Sequence, residues 1–234
     1  MLLRKRPRST DKGRLPDEQL RTAWQIASLL VDYPTEDLIG RLDLLEQACG
    51  ALPPRISEPL TALVDHLRAT PLDRLQQAYV ETFDHTRKGS LYLTYFTDGD
   101  TRKRGVSLVR LKQAYRRAGV ELAADELPDH LAVVLEFGST VDVQGAWRIL
   151  TDYRAGLEVL RLWLTGRESP WADAVLAVSR TLPELVGDEA QAIARLIEAG
   201  PPAEDVGLAP YASDPRLDPR LNPLPDYLAA GADR

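Results

Sequence analysis

Apolar residues recur every three or four positions along most of the chain, the spacing of amphipathic helices. In the first such stripe, Asp17 is placed to cap a helix whose core-facing residues are Leu20, Trp24, Ala27 and Leu30. The same spacing predicts further helices within about 38–49, 56–67, 72–83, 106–118, 128–142, 147–164, 170–182 and 188–199. Proline or glycine lies near the end of many of these segments, where either residue ends a helix readily.

Strand signals are weak in this sequence. There is no Asn-Gly hairpin, and alternation of apolar and polar residues with a period of two never persists. We therefore expect an all-α fold, a single-domain bundle of about nine or ten helices over residues 17–200. Residues 1–16 form a basic arm, and residues 201–234 contain seven prolines, which favours an extended or disordered tail.

Length and composition fit one sizeable helical core, since 44% of the 234 residues are hydrophobic and 27% are charged. No apolar run approaches the roughly 20 residues needed to span a bilayer. No apolar segment follows the basic arm, as a secretory signal peptide would require. The sequence thus predicts a cytoplasmic protein without stable membrane insertion. The net charge of −6 argues against nucleic acid as a partner, because nucleic-acid binding needs a basic surface.

Candidate catalytic groups are few. The single cysteine, Cys49, cannot form an internal disulfide or hold a metal cluster alone, and no nucleotide-binding glycine loop occurs, so we expect no cofactor. Each of the three histidines follows an aspartate, at Asp65-His66, Asp84-His85 and Asp129-His130. These pairs leave open a rival hypothesis, an all-α metal- or nucleotide-dependent hydrolase. Adjacent residues on a helix point about 100° apart, however, and rarely share a metal ion.

Aromatic residues are concentrated between positions 79 and 96. Five of the fifteen Phe, Trp and Tyr residues lie there, namely Tyr79, Phe83, Tyr92, Tyr95 and Phe96. One interpretation is an aromatic helix face packed into the core, followed by a turn and a solvated basic run. The alternative is a groove that receives an amphipathic peptide helix, because aromatic rings bury a large area at low entropic cost.

Two motifs carry a resemblance to a known family. Tyr79 and Phe83, four residues apart, match a Tyr-x-x-x-Phe helix, and Glu126, Pro128, Asp129 and His130 match a Glu-x-Pro-Asp-His motif. With the stretch from Tyr79 to Gly105, they resemble the NarJ-type nitrate reductase molybdenum cofactor assembly chaperones, within the TorD/DmsD-like maturation chaperones. The likeness covers about residues 18–200. It departs at Gly138, where a bulkier apolar residue is usual and glycine is expected to loosen the helix by about 1 kcal/mol.

This resemblance implies a protein that is not an enzyme. Such chaperones bind the N-terminal segment of the nitrate reductase catalytic subunit and hold the apoenzyme until molybdenum cofactor and iron–sulfur centres are inserted. The resemblance therefore implies the catalytic subunit as partner and leaves contact with cofactor-insertion machinery open.

The same resemblance assigns candidate peptide-binding residues. Groove or groove-supporting residues are expected at Tyr79, Phe83, Tyr92, Tyr95 and Phe96. A polar rim, or a hydrogen-bond network at a helix start, is expected from Glu126, Asp129 and His130. Ordinary helix capping explains the second motif equally well. A rim position for His130 would make peptide affinity depend on pH between about 6 and 8.

Overall fold

Helices account for nearly all secondary structure in the computed structural model, which describes residues 14–84, 89–123 and 126–185 and the single positions 191 and 195. The all-α class predicted from the sequence is confirmed. The helices within the described ranges are α1 (Asp17–Leu30), α2 (Glu36–Gly40), α3 (Leu42–Cys49), α4 (Pro54–Ala69), α5 (Leu72–Phe83), α6 (Tyr95–Asp98), α7 (Arg102–Arg117), α8 (Leu131–Thr140), α9 (Val143–Asp152), α10 (Arg154–Gly166) and α11 (Ala172–Thr181).

The described helices number eleven because two predicted helices are each divided in two and α6 was not predicted. The first division falls at Arg41, between α2 and α3, and the second at Tyr153, between α9 and α10. Tyr153 has φ −102° and ψ 21°, outside the helical range, so the chain changes direction there. The basic arm up to residue 13, the proline-rich tail and most of the predicted helix within 188–199 lie outside the described residues.

Helix α1 lies at the centre of the core. It packs against α8 and α11 and also contacts α3, α4 and α9. Trp24 is fully buried, its Nε1 donates a hydrogen bond to Thr181 Oγ1 on α11 at 3.0 Å, and its ring lies 6.4 Å from that of Trp147 on α9. Because the indole N–H finds a partner, the large ring is buried without leaving a polar group unpaired.

Gly138 on α8 marks a close approach between three helices. A Cβ atom placed there would lie 2.6 Å from Trp24 Cε3 and 2.6 Å from the Ala146 Cβ on α9. The space that a bulkier residue would take is therefore filled by Trp24 and Ala146. Helix α8 continues past this position to Thr140, so glycine allows tight packing here and does not interrupt the helix.

Replacing Gly138 with alanine is expected to lower the free energy of unfolding. Overpacking costs about 1–3 kcal/mol, and two contacts at 2.6 Å, one of them to the rigid Trp24 ring, place the cost above the helix-propensity gain of roughly 1 kcal/mol. Gly105→Ala on α7 is the matched control, because nothing lies within 4 Å of a Cβ added there. Urea unfolding followed by circular dichroism measures both. A Gly138→Ala variant as stable as Gly105→Ala would contradict the close approach.

A buried ion cluster joins α10 to α11. Glu158 is 2% exposed and lies 2.8 Å from Arg154 Nε and 2.6 Å from Arg161 Nε. Ser179 Oγ on α11 donates a hydrogen bond to Glu158 Oε1 at 2.6 Å. Burial alone would raise the pKa of this carboxyl, but the hydrogen bonds from Ser179 and Arg161 and the charge of Arg154 outweigh it and lower the pKa. Glu158 is therefore ionised and fully engaged inside the fold.

None of the described helices combines the length and apolar character needed to cross a bilayer.

Candidate peptide-binding site

Main-chain hydrogen bonds hold the two sequence motifs side by side. Tyr92 and His130 form an isolated antiparallel β-bridge. Leu131 N donates to Leu91 O at 2.8 Å, and Leu93 N donates to Asp129 O at 2.9 Å. The segment before α6 and the segment before α8 therefore build one wall, although more than thirty residues separate them in the sequence.

Asp129 anchors this wall from inside. Its side chain has no exposed surface, and its Oδ2 accepts a hydrogen bond from Thr94 Oγ1 at 2.5 Å. Arg104 on α7 places Nη2 3.4 Å from the same oxygen and donates from Nε to Thr94 Oγ1 at 3.3 Å. Of the two roles expected for Asp129, a polar rim and a hydrogen-bond network at a helix start, its geometry corresponds to the second.

The first groove, here called the aromatic groove, encloses about 370 Å³ between α5, the segment before α6, and α7. Its apolar lining comes from Tyr79, Phe83, Leu91, Tyr92 and Tyr95, its charged lining from Asp84, Asp100 and Arg104, and its neutral polar lining from Ser90 and His130. Four of the five predicted aromatic groove residues thus line one concave surface. Such a surface can bury apolar side chains of a bound segment.

The floor of the aromatic groove is continuous with the core. Tyr79 and Phe83 are only 6% and 7% exposed, their centroids lie 4.6 Å apart, and each ring packs edge-on against Trp171 at 5.5 Å. Tyr79 donates its hydroxyl to Val31 O at 3.1 Å, and burial raises the pKa of that hydroxyl, so it stays protonated. Both rings therefore pack into the core and also line a concave surface, and peptide binding by them stays a prediction.

The wall that faces Tyr79 and Phe83 across the aromatic groove is more accessible to solvent than they are. Tyr92 and Tyr95 are half-buried, and the Arg104 guanidinium lies 5.3 Å and 6.0 Å from the centroids of their rings. Cation–π contact of this kind holds a ring in place without hiding its outer face. Phe96 is different: it is 3% exposed and packs against Tyr95 at 5.7 Å, so it supports the wall from behind and does not line the groove.

A second groove of about 420 Å³, here called the acidic groove, lies on the other side of the wall. Its apolar lining is Leu29, Leu127, Ala132 and Val133, and its carboxylates are Asp32, Glu126 and Glu136. Tyr92 and His130 line both grooves, and their rings pack edge-on at 5.3 Å. The two rings therefore form a ridge between two neighbouring concave surfaces.

Burial lowers the pKa of His130 from its ordinary value of 6.5, although the charges of Asp32, Asp129 and Glu126 act in the opposite direction. The imidazole is therefore neutral at pH 7. Because the folded state binds this proton less tightly than the unfolded chain, protonation costs stability as the pH falls below about 6.5. A pH dependence of peptide affinity stays a prediction.

Sequence reasoning missed several residues of this site. Arg104 had a signal: together with Arg102 and Lys103 it places three cations in the first turn of α7, where the helix dipole disfavours positive charge. Leu29 and Asp32 had none, because they lie at the end of α1 and just after it, far away in sequence from the two motifs.

The rival hydrolase hypothesis rests on the three Asp-His pairs. Within the described ranges no three His, Cys, Asp or Glu residues come close enough to hold a metal ion. His66 lies on α4, His130 precedes α8, and His85 falls outside the described residues. What the site offers is two concave surfaces with apolar floors, and peptide binding by its residues stays a prediction.

Comparison with known proteins gives matches over the same part of the chain. A family model described as nitrate reductase delta subunit matches residues 50–177. The chain is 40% identical over 159 residues to the nitrate reductase-like protein NarX of Mycobacterium tuberculosis, covering 68% of this chain and 24% of NarX. It is 33% identical over 178 residues to the nitrate reductase molybdenum cofactor assembly chaperone NarJ of Escherichia coli K12, covering 71% of this chain and 75% of NarJ.

A crystal structure shares the fold. The protein, from Archaeoglobus fulgidus and assigned as a redox enzyme maturation protein, is 22% identical and aligns with a TM-score of 0.53. The alignment covers 68% of this chain and 91% of that one. The chain spans about a quarter of the length of NarX. All eight predicted site residues fall inside the range that the family model matches.

Proposed function

Because this chain belongs to the nitrate reductase delta subunit family, we propose that it is an assembly chaperone for a nitrate reductase. It would hold the apo catalytic subunit ready for insertion of molybdenum cofactor and iron–sulfur centres, in the cytoplasm, before that subunit docks at the membrane. The protein would act by binding and not by catalysis. The observation that supports this most is the pair of grooves on either side of the Tyr92–His130 ridge.

The proposed client element is the N-terminal segment of the catalytic subunit, bound as an amphipathic helix. Such a helix places its apolar side chains at intervals of three, four and seven residues. The Tyr92–His130 ridge would lie between successive apolar side chains, one group entering the aromatic groove and the next entering the acidic groove. Tyr95 would contact the segment directly, since its ring is half-buried and faces the groove.

Charges around the two grooves favour a basic client segment. Five carboxylates contribute to their lining, namely Asp32, Asp84, Asp100, Glu126 and Glu136. The cation among the lining residues, Arg104, already lies 3.4 Å from Asp129. Lysine or arginine on the polar face of the client helix would therefore meet opposite charge, which raises the association rate and fixes orientation.

Binding of an unfolded client segment is expected to be reversible. A segment that is unfolded when free loses conformational entropy as it becomes helical, and this cost offsets much of the energy gained from burial. The client can therefore leave once its own domain folds around the inserted cofactors.

The proposal is tested by titrating the chain, in a calorimeter, with a synthetic peptide of the first fifteen or so residues of the catalytic subunit from the same organism. Tyr95→Ala is expected to weaken binding by more than about 1 kcal/mol, because a central aromatic contact is lost. Leu44→Ala is the control, since Leu44 is 63% exposed on α3 and lines neither groove. Circular dichroism checks that both variants fold.

Two results would count against the proposal. Absence of any binding by the unmodified chain would exclude this segment as the client. Equal affinity of Tyr95→Ala and Leu44→Ala would place the bound peptide elsewhere on the molecule.

A further inference from the structure

Helix α7 carries a charge that contrasts with the rest of the chain. Its sixteen residues contain no aspartate or glutamate, while the whole chain has a net charge of −6. The seven cations of α7 are Arg102, Lys103, Arg104, Arg110, Lys112, Arg116 and Arg117. The helix therefore forms a local basic surface on an acidic protein.

This charge pattern is unfavourable for the helix itself. Lys112 and Arg116 are four residues apart, where like charges destabilise a helix by about 0.2–0.5 kcal/mol. Only Ser107, Leu111 and Tyr115 of α7 are buried, so tertiary packing contributes modestly. A helix whose exposed cations repel one another is suited to a partner that supplies negative charge.

The outer face of α7 combines these cations with apolar side chains. Lys103, Val106, Arg110 and Arg117 follow one another at intervals of three, four and seven residues and so lie on one stripe. Val106 is 53% exposed, and Val109 on the adjacent row is 55% exposed. Exposed apolar residues between like charges give the stripe the character of a docking surface, with contact area as well as charge.

A groove of about 390 Å³, here called the arginine groove, continues this stripe between α7 and α9. Leu111, Phe137 and Ile149 supply its apolar floor, and Arg110, Arg117 and Arg148 its rim. Among the described residues, none of these three arginines forms a hydrogen bond or an ion pair with another side chain.

Two carboxylates also line the arginine groove, Asp142 and Asp152. Asp142 is engaged at the start of α9, where its Oδ1 accepts from Gln144 N at 3.1 Å and from Gly145 N at 2.9 Å. Cations thus outnumber the carboxylates, and one of the two carboxylates is already occupied by helix capping.

We propose that the arginine groove and the adjoining stripe of α7 dock an acidic, partly apolar helix of a partner protein. Carboxylates of the partner would pair with Arg110, Arg117 and Arg148, and its apolar side chains would cover Val106 and fill the groove floor. A lipid surface is disfavoured because the exposed apolar side chains are valines, without the Trp or Phe typical of membrane-lying helices. Nucleic acid is disfavoured by the net charge of −6.

The arginine groove is separate from the proposed client site. It shares no lining residue with the aromatic groove or the acidic groove, and its charge has the opposite sign. A basic client segment and an acidic partner helix would therefore bind to different surfaces of one molecule. The chain could hold both at once, which gives the second partner access to a captured client.

A designed peptide that carries the chemistry expected of the partner tests this surface. The probe is a fluorescent helical peptide of 16 residues, as long as α7, with leucine on one face and glutamate on the flanks. Its control is a peptide of the same composition with the leucine and glutamate positions scrambled. Fluorescence anisotropy measures the affinity of the full chain for each peptide, and the scrambled peptide is expected to bind at least about fivefold more weakly.

Two double variants locate the binding surface. Arg110→Glu with Arg117→Glu is expected to weaken binding of the probe at least about tenfold, because two attractive contacts become repulsive. Arg41→Glu with Arg74→Glu makes the same charge change on exposed residues that belong neither to α7 nor to the arginine groove, and it is expected to change affinity less than about twofold. Neither pair is buried, and circular dichroism checks the fold of both variants.

The outcomes decide the proposal. If both double variants lose the same amount of affinity for the probe, the attraction is one of overall charge. If the scrambled peptide binds as tightly as the probe, the apolar face of the peptide does not contribute to binding. Either result overturns it. If the probe does not bind, phosphatidylglycerol vesicles and a single-stranded oligonucleotide are tested in its place. Vesicle binding that Arg110→Glu with Arg117→Glu abolishes would assign the surface to a membrane, and oligonucleotide binding that the same variant abolishes would assign it to nucleic acid. The client peptide titration is independent of all these results.

Discussion

Replacing Glu158 with alanine is expected to lower the free energy of unfolding by about 3 kcal/mol. The carboxylate is 2% exposed and is held by Arg154, Arg161 and Ser179. Its removal takes away the carboxylate that pairs with Arg154, which is 13% exposed, and with Arg161. Loss of one partner from a buried ion pair costs far more than the net value of the pair.

Urea unfolding at pH 7 measures this effect. The control is Glu58→Ala, at an exposed glutamate outside the cluster, for which the free energy of unfolding is expected to change by no more than about 0.5 kcal/mol. The pH dependence gives a second readout. Because the folded-state pKa of Glu158 is lowered, its contribution is present above the ordinary value of 4.5 and is lost as the pH falls through the folded-state pKa. A Glu158→Ala variant that is as stable as Glu58→Ala would show that the cluster contributes nothing.

Replacing Asp129 with alanine is expected to cost about 3 kcal/mol of stability and to weaken client peptide binding about tenfold or more. The substitution removes the acceptor of the Thr94 hydrogen bond and the counter-charge of Arg104. Arg104 also lies against Tyr92 and Tyr95, so the accessible wall of the aromatic groove loses its anchor. Stability is measured by urea unfolding and affinity by calorimetric titration.

Two further variants separate the anchor from the surrounding motif. Asp129→Asn keeps an acceptor for Thr94 but not the charge, and its losses are expected to lie between those of the unmodified chain and Asp129→Ala. Glu126→Ala, in the same motif but exposed, is expected to change stability by less than about 0.5 kcal/mol. If Asp129→Ala bound the client peptide with unchanged affinity, the buried network would not hold the groove.

The helices were predictable wherever the hydrophobic spacing is strong and uninterrupted. Helices α1, α4, α5 and α11 lie close to their predicted ranges. The divisions at Arg41 and Tyr153 were not predicted, since the apolar spacing continues across both positions. Helix α6 has four residues, too few for any periodicity to appear.

Four aromatic residues of the candidate site were predictable, but the other lining residues and the way they come together were not. Aromatic density and the resemblance pointed to Tyr79, Phe83, Tyr92 and Tyr95, and the structure places all four on one groove. A β-bridge of one residue pair leaves no alternating pattern, so the pairing of Tyr92 with His130 had no sequence signal.

The burial of Asp129 was not predictable from the sequence either. An aspartate next to a proline at a helix start is indistinguishable from an exposed capping residue, and only the approach of Thr94 and Arg104 shows that it is buried. The acidic groove depends on the end of α1, and no local pattern connects that helix with the second motif.

The wall of the aromatic groove also depends on a glycine, which has no Cβ atom. At Gly156, on α10, a Cβ atom would lie 2.5 Å from the carbonyl oxygen of Leu93 and 3.6 Å from Phe96 Cδ2. Behind the wall, the main chain at Gly156 therefore packs directly against the main chain at Leu93, with no side chain between them. At this point the wall cannot shift toward α10, so we expect ligands of different bulk to be accommodated by movement of the outer tyrosine rings.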